Sequence, residues 1–424
     1  MDMTEVICCP GDSLPKHLDP DALYFSMFSS PDTEGVGHVA LGLQTKIRRE
    51  KLAPSVEAWD FATIAAAVAA ADKAVLRSSS TDGWTRMIDL TIALAEPAVW
   101  NGRREELERM LGLLTGDFWS LRFQSGGAKP PKPPKPVKRD ADCVCLLSGG
   151  IDSLVGAIDL VADGKKPLFV SQVVRGDKDA QTAFAAALGG GNDRHCQWSY
   201  AVSHPGDSEL STRARSIVFF AFAALAAAGV PSTKTQPVEI VVPENGFISL
   251  NVPLGPGRIG SLSTKTTHPQ YMSAVQEIWN AIGINATLVF PYRESTKGEM
   301  LQHCANQERL LSLIGRSTSC GKGGRINRHC GTCIPCLVRR AGFLEAGLRD
   351  TTTGGYKYTD LADSGSRDVA AAAAAYLRYQ DEGVRRFAGA ALSFASYAER
   401  EKHESVVARG MDELGRLLRS HGVI

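Results

Sequence analysis

Between residues 140 and 290 short apolar runs alternate with longer stretches whose apolar positions return every three or four residues. Runs at 144–147, 168–174, 195–202, 238–242 and 287–290 have strand length, and 151–161, 180–188, 210–228 and 271–281 have helical spacing. Strands that are apolar throughout and separated by helices predict a parallel sheet covered on both faces, an α/β Rossmann-like fold over 140–350. Upstream, 59–77 is Ala-rich and predicts a helix. Ile88, Leu90, Ile92 and Leu94 alternate with Asp89, Thr91 and Ala93 as in a half-buried strand. Leu107, Met110, Leu111 and Leu114 then share one helical face, and 118–123 predicts a further strand. Residues 1–125 are therefore expected to form an α+β unit. A helical C-terminal region is expected over 351–424, with helices near 369–379, 384–398 and 411–418.

Residues 129–136 read Lys-Pro-Pro-Lys-Pro-Pro-Lys-Pro. Such a run favours polyproline II, at about 3.1 Å per residue, and predicts a stiff, solvated linker over 126–139.

Composition narrows the classes. Of the 424 residues, 44% are hydrophobic and 22% charged, and the net charge is +1. That balance gives no general electrostatic case for nucleic acid or an acidic membrane. The long apolar run 217–230 is too short to span a bilayer. Met1 to Cys9 lacks the basic start of an export signal, so the ten cysteines are expected as reduced thiols or metal ligands in a cytoplasmic protein.

Two stretches carry chemistry. Residues 143–153 read Cys-Val-Cys-Leu-Leu-Ser-Gly-Gly-Ile-Asp-Ser: strand, glycine turn, helix. Such a turn aims backbone N–H groups and the positive end of the helix dipole at one point, where an anion belongs. The other stretch holds Cys320, Cys330, Cys333 and Cys336 at spacing C-x9-C-x2-C-x2-C, which suits a closed tetrahedral Zn²⁺ site. Gly321, Gly323, Gly324 and Gly331 leave the backbone free to wrap the ion. A ferredoxin-like run would need a further Cys where Arg340 stands. Cys304 and His329 are spare candidate ligands.

Ser-Gly-Gly-x-Asp-Ser resembles the pyrophosphate loop of the N-type ATP pyrophosphatases, the PP-loop enzymes, and lacks the Lys of a Walker loop. Together with the four cysteines it resembles the 7-cyano-7-deazaguanine synthase family, QueC. Arg215 ahead of an apolar helix, Thr296-Lys297-Gly298-Glu299 and Ser319-Cys320 are similar to that family's motifs as well. The similarity covers roughly 140–345. The stretches 244–251 and 258–269, with the extra length, resemble the longer QueC-like proteins of anti-phage operons, the QatC family of the Qat systems.

The resemblance implies adenylation of a 7-carboxy-7-deazaguanine by ATP with loss of pyrophosphate. Ser148, Gly149, Gly150 and Ser153 would then cradle the pyrophosphate, and Asp152 would either hold Mg²⁺ or cap the helix. Arg215 and Lys297 would neutralise phosphate charge, while Glu244, Asn245 and Phe247 would hydrogen-bond and stack the purine. Ammonia or a protein amine would capture the adenylate. A partner protein is expected to dock through 1–125 and the tail. Competing readings are an iron–sulfur tRNA-thiolating enzyme and a non-catalytic nucleotide-binding scaffold.

Overall fold

The computed structural model of the chain describes residues 3–173, 176–191, 193–233, 235–255, 265–321 and 328–424. Its first sheet contains β1 (Thr4–Cys9), β2 (Leu23–Met27), β3 (Gly37–Val39), β4 (Met87–Ala93) and β5 (Phe118–Gln124) in the order β5-β4-β1-β2-β3. Every pairing among these strands is parallel. The first unit is thus more regular than an α+β unit, with helices Val56–Ala74 and Arg104–Thr115 beside a doubly wound sheet.

The second sheet contains β6 (Cys143–Leu146), β7 (Pro167–Gln172), β8 (His195–Trp198), β10 (Val238–Val241) and β11 (Ala286–Val289), all parallel, in the order β11-β10-β6-β7-β8. Every residue of β6 and β7 is buried, which is why both read as unbroken apolar runs. The two sheets share one winding: the first strand is central, two follow on one side and two on the other. In each, the crevice between the first and fourth strands is where a ligand is expected. Only the second sheet keeps it open. In the first, Gly127 donates to the Leu94 carbonyl just past β4 (3.0 Å), so close that a Cβ there would lie 2.4 Å from Leu94 backbone.

The expected strand 195–202 divides. After β8 the chain leaves the second sheet, and β9 (Val202–Ser203) pairs antiparallel with β3. The helix expected from 210 begins only at Arg215, because the preceding residues are bound to the first unit.

The linker is not a solvated spacer. Pro130, Pro131 and Pro133 are buried, the Ala128 carbonyl accepts from Trp59 Nε1 (2.7 Å), and Val137 N donates to the Lys51 carbonyl (3.0 Å). One apolar core runs through both units, from Val6, Phe25, Phe61 and Ile88 to Leu168, Ile217, Phe222 and Trp279. Helix Val56–Ala74 lies against Arg215–Ala227, and alanines on both permit close approach. Phe61 meets Trp279 edge-on at 5.8 Å.

The tail contains Arg367–Ala388, itself two helical stretches joined across a kink, and then Tyr397–Ser420. Gly383 interrupts the first (φ 72°), and a capping box of Ser396 with Glu399 starts the second inside the stretch expected as 384–398. Both pack on Ile334–Glu345, forming a second core.

Deleting residues 1–125 is expected to prevent folding. It would re-expose several large side chains at about 2–3 kcal/mol each, against a typical margin of about 5–15 kcal/mol. A soluble 126–424 fragment with a cooperative thermal transition would contradict this.

Candidate active site

Leu147 donates to the Val170 carbonyl (2.7 Å) and ends β6 at the sheet's C-terminal edge. The chain then turns through Gly149, whose φ of 92° suits glycine, into helix Ile151–Ala162. The turn is already shaped. Gly150 N donates to Ser148 Oγ (3.3 Å), Ser148 Oγ to Ser153 Oγ (3.1 Å) and Ser153 Oγ to the Gly150 carbonyl (3.0 Å). Gln181 Nε2 holds the Ser148 carbonyl (3.0 Å), and Thr318 N holds the Gly149 carbonyl (2.9 Å).

The loop opens on a cavity of about 240 Å³ between β6 and β10 whose wall includes Ser148, Ser153, Asp177, Arg215, Phe219 and Glu244. Arg215 is exposed and makes no hydrogen bond or ion pair among the described residues, so its guanidinium is available to an anion. Burial raises the Asp177 carboxyl, while a hydrogen bond with Thr318 and the Arg215 charge oppose the rise.

Beneath the cavity lies a buried charge cluster. Asp152 does not cap its helix, whose N-cap is Gly150; it pairs with Lys297 and accepts from Asn245 Nδ2 (2.7 Å). Burial is the largest influence and would raise Asp152, but the Lys297 charge together with hydrogen bonds from Glu244, Lys297 and Asn245 outweighs it, and the carboxyl stays below its ordinary range. Burial and then the Asp152 charge push Glu244 well above its ordinary value, so Glu244 is the neutral, donating partner of the two. Lys297 opens helix Lys297–Gln302, which the tail braces: Glu413 accepts from the Thr296 hydroxyl and from Gly298 N (3.2 Å).

Ser148, Ser153, Arg215 and Glu244 thus meet at the cavity, and Asp152 and Lys297 meet below it. Two residues expected at the substrate do not. Asn245 is fully buried and caps helix Gly246–Ser249 by accepting from Ile248 N (3.0 Å). Phe247, 3% exposed, faces the tail, where a Cβ on Gly410 would lie 2.4 Å from its ring. The helical turn starting at Gly246 points it away from the cavity. The rings on the cavity wall are Phe220, which is buried, and the more exposed Phe219. Phe219 stands one turn after Arg215 on the same helix, an i,i+4 spacing that carried the signal. Thr266 and Thr267, from the stretch 258–269, also line the cavity, as does Asp177, which had not been singled out. Residues 258–264 of the expected substrate loop lie outside the described residues.

The ligand atoms of Cys320, Cys330, Cys333 and Cys336 all lie within 4.8 Å of one another. The Cys320–Cys333 and Cys330–Cys336 sulfurs are 3.9 and 3.8 Å apart, matching the edge of about 3.8 Å that a tetrahedron with Zn–S bonds of about 2.3 Å requires. Cys330 N donates to Cys320 Sγ and Cys333 N to Cys330 Sγ, both at 3.3 Å, which favours thiolates. The set therefore fits one structural zinc. His329 is not among the ligands, since its Nε2 accepts from Ser319 N (3.1 Å), and Cys304 sits in a separate core. Gly323 and Gly324 lie outside the described residues. The cysteine knuckle also reaches the anion loop. Arg339, fully buried, holds the Ser317 carbonyl (3.3 Å) and hydroxyl (2.8 Å), beside the Thr318 that clasps Gly149.

Residues 266–347 match the family described as QueC, queuosine biosynthesis protein QueC. The 7-cyano-7-deazaguanine synthase of Rhizorhabdus wittichii is 26% identical over 223 residues, covering 49% of this chain and 94% of that protein. The synthase of Novosphingobium aromaticivorans is 28% identical over 253 residues, covering 53% and 97%. That of Ralstonia pickettii is 27% identical over 236 residues, covering 49% and 96%. No solved structure gives a significant match. The chain is QueC-like, with parallel α/β sheets of the PP-loop kind. No helix among the described residues is long and apolar enough to cross a membrane.

Chelation is expected to remove about one zinc per chain and lower the melting temperature, because metal binding is coupled to folding. Metal analysis finding iron and sulfide instead would contradict the assignment. A second expectation concerns pH. Burial pushes Glu413 up to about 7 from an ordinary 4.5, so the folded protein keeps a proton that the unfolded chain releases. Stability from this group is full below about pH 4.5 and lost as pH rises through about 7, a change on the order of 3 kcal/mol. Thermal melts of wild type and Glu413→Gln at pH 5, 6 and 7.5 should show a shallower decline for the variant; equal slopes would refute this.

Proposed function

We propose that this protein is an ATP-dependent enzyme of the QueC kind that activates the carboxylate of a 7-deazaguanine. The observation that supports it most is a pre-shaped anion loop and an unpaired arginine facing one cavity at the switch point of a parallel sheet. Its likeness to 7-cyano-7-deazaguanine synthases supplies the substrate class.

In the proposed reaction the loop N–H groups and the hydroxyls of Ser148 and Ser153 hold the β- and γ-phosphates. A substrate carboxylate oxygen attacks the α-phosphorus, the bond to the bridging oxygen breaks, and pyrophosphate departs, leaving an acyl adenylate. No side-chain nucleophile is needed; positioning and charge stabilisation supply the rate. Arg215 meets the transferring phosphates. Lys297 acts from below by keeping Asp152 ionised and the loop helix in place. Glu244, its one O–H given to Asp152, offers a carbonyl oxygen as acceptor to the base's N–H groups, and Phe219 a ring to stack on it, in the role first given to Phe247. Magnesium would enter with ATP; Asp177 is on the cavity wall and in no ion pair among the described residues, so it is the carboxylate available to Mg²⁺.

An amine then attacks the adenylate and AMP leaves. Ammonia would give the amide on the way to a nitrile, and a protein amine would give a conjugate. The length beyond the synthases, about half the chain, favours a macromolecular acceptor supplied by a partner, in line with a QatC-type role in anti-phage defence. Buried free thiols throughout the fold accord with a reducing, cytoplasmic setting. The iron–sulfur thiolation reading is disfavoured by the spacing of the four sulfurs, which suits a single ion.

With ATP, Mg²⁺ and 7-carboxy-7-deazaguanine, the wild type should release pyrophosphate and AMP. Ser148→Ala should lose roughly 100-fold or more in rate, the scale seen when one preorganised contact to a transition state is removed, with circular dichroism unchanged; Asp152→Asn, which leaves the buried Lys297 without its partner, should lose rate and also lower the melting temperature. Formation of ADP and phosphate would overturn the proposal. Mass spectrometry of the products, and of proteins that co-purify, identifies the acceptor.

A further inference from the structure

We infer that Asp72, in the first unit, is a positioning residue for the nucleotide cavity: its carboxylate sets where Arg215 enters the site. The inference rests on the reading of that cavity as an ATP site. No residue of 1–125 lines the cavity, yet the helix that carries Arg215 starts where it does because of this unit.

Apolar periodicity would let a helix begin near 210, but helix Arg215–Ala227 begins five residues later. Its N-cap, Ala214, has no side chain able to satisfy the free N–H groups of the first turn. Asp72 instead fixes the two residues that lead into the helix, its Oδ2 accepting from Arg213 N (2.6 Å) and Ala214 N (2.8 Å). A carboxylate at that end also meets the positive pole of the helix dipole.

Asp72 is itself immobilised. It is 1% exposed, and Arg86 Nη2 binds its Oδ1 at 2.6 Å. Arg86 is shared with Asp117 (2.6 Å), and Asp117 with Arg77 (2.9 Å), so two buried arginines balance two buried aspartates. The same network grips the approach to the helix. Glu209 N donates to the Lys73 carbonyl (2.8 Å), and Arg77 N donates to Glu209 Oε2 (2.9 Å). The Arg77 and Arg213 guanidiniums lie over the Trp84 ring, at 4.9 and 4.8 Å. Asp72, Lys73, Arg77 and Trp84 thus hold 209–214 from one short stretch of the first unit. Arg215 follows directly at the end that this network holds, whereas Phe219, one turn on, is packed against the shared core, so a shift of the helix start moves Arg215 first. A displacement of about 1 Å in such a group can cost on the order of 100-fold in rate.

A double-mutant cycle tests this on the full chain, read as ATP–pyrophosphate exchange with the carboxy-deazaguanine and as ATP affinity by calorimetry. Asp72→Asn should lower kcat/KM for ATP about tenfold, leave KM for the deazaguanine within twofold, and weaken ATP binding. In an Arg215→Ala background the same change should cost less than twofold, because Asp72 acts through Arg215. Glu209→Gln, which loosens the same segment from a partly exposed site, should show the same pattern at about threefold and serves if Asp72→Asn does not fold. Losses that multiply fully in the Arg215→Ala background, or that fall equally on both substrates, overturn the inference and leave the ATP reading standing. A wild type that neither binds nor exchanges ATP sinks the ATP reading and the inference with it.

Discussion

Asp152 stands 6% exposed in the first turn of the helix behind the anion loop, and it binds Lys297 and Asn245 at once. One carboxylate thereby joins segments about 90 and 145 residues further along the chain. The arrangement is all or nothing. A buried ion pair contributes little relative to apolar packing, but breaking one partner leaves an unpaired charge that costs about 3–5 kcal/mol. Glu244 depends on it as well, since the Asp152 charge helps keep it neutral. The Lys297 end is tied in turn to the tail through Glu413, and the Asn245 end to the turn that sends Phe247 into the tail's core. The tail is therefore part of what holds the cavity floor, whatever else binds its outer surface.

The roof of the loop is held by a different kind of bond. The cysteine knuckle fixes Cys320, Arg339 fixes Ser317, and Thr318 between them reaches the Gly149 carbonyl. A metal with four protein thiolates has no open position for chemistry. It can still decide whether the loop keeps its shape, because the 317–320 segment is only as rigid as its two anchors. Gly150 is closely covered on that side, since a Cβ would lie 3.3 Å from the Thr318 carbonyl, a tight contact that would push the 317–320 segment by a few tenths of an ångström.

The first unit repeats the winding of the second but carries no comparable site. After β1 only a short 3-10 turn follows (Gly11–Ser13), not a long helix with a dipole, and the linker lies over the end of β4. Its contribution is a wall of alanines for helix Arg215–Ala227 and a buried set of charges at that helix's start. Trp198 of β8 donating to Glu50 (3.0 Å) and β9 joining the first sheet tie the units further. Two sheets sharing one core need each other; a solvated spacer between them would have left both helix layers wet.

The parts legible in the sequence are those whose physics is local. Strand and helix periods at 143–161, the glycine turn and the cysteine spacing all depend on residues close to one another along the chain. The parts that were not legible depend on what stands opposite. Phe247 and Phe219 are equally plausible rings by composition; which one reaches the cavity is decided by Gly410, 163 positions after Phe247, leaving room for it. Pro130 and Pro133 read as solvated by their order in the chain, yet both are buried, in a segment whose Ala128 carbonyl is held by Trp59 of a distant helix. The helix at 215 could not be started correctly from its own residues, because the carboxylate that fixes the residues leading into it is Asp72. Sequence by itself determined the chemistry at the loop and the knuckle. Tertiary structure decided which charges are paired, which rings face the cavity and where the Arg215 helix begins, because burial and ion pairing are properties of distant residues meeting, not of their order along the chain.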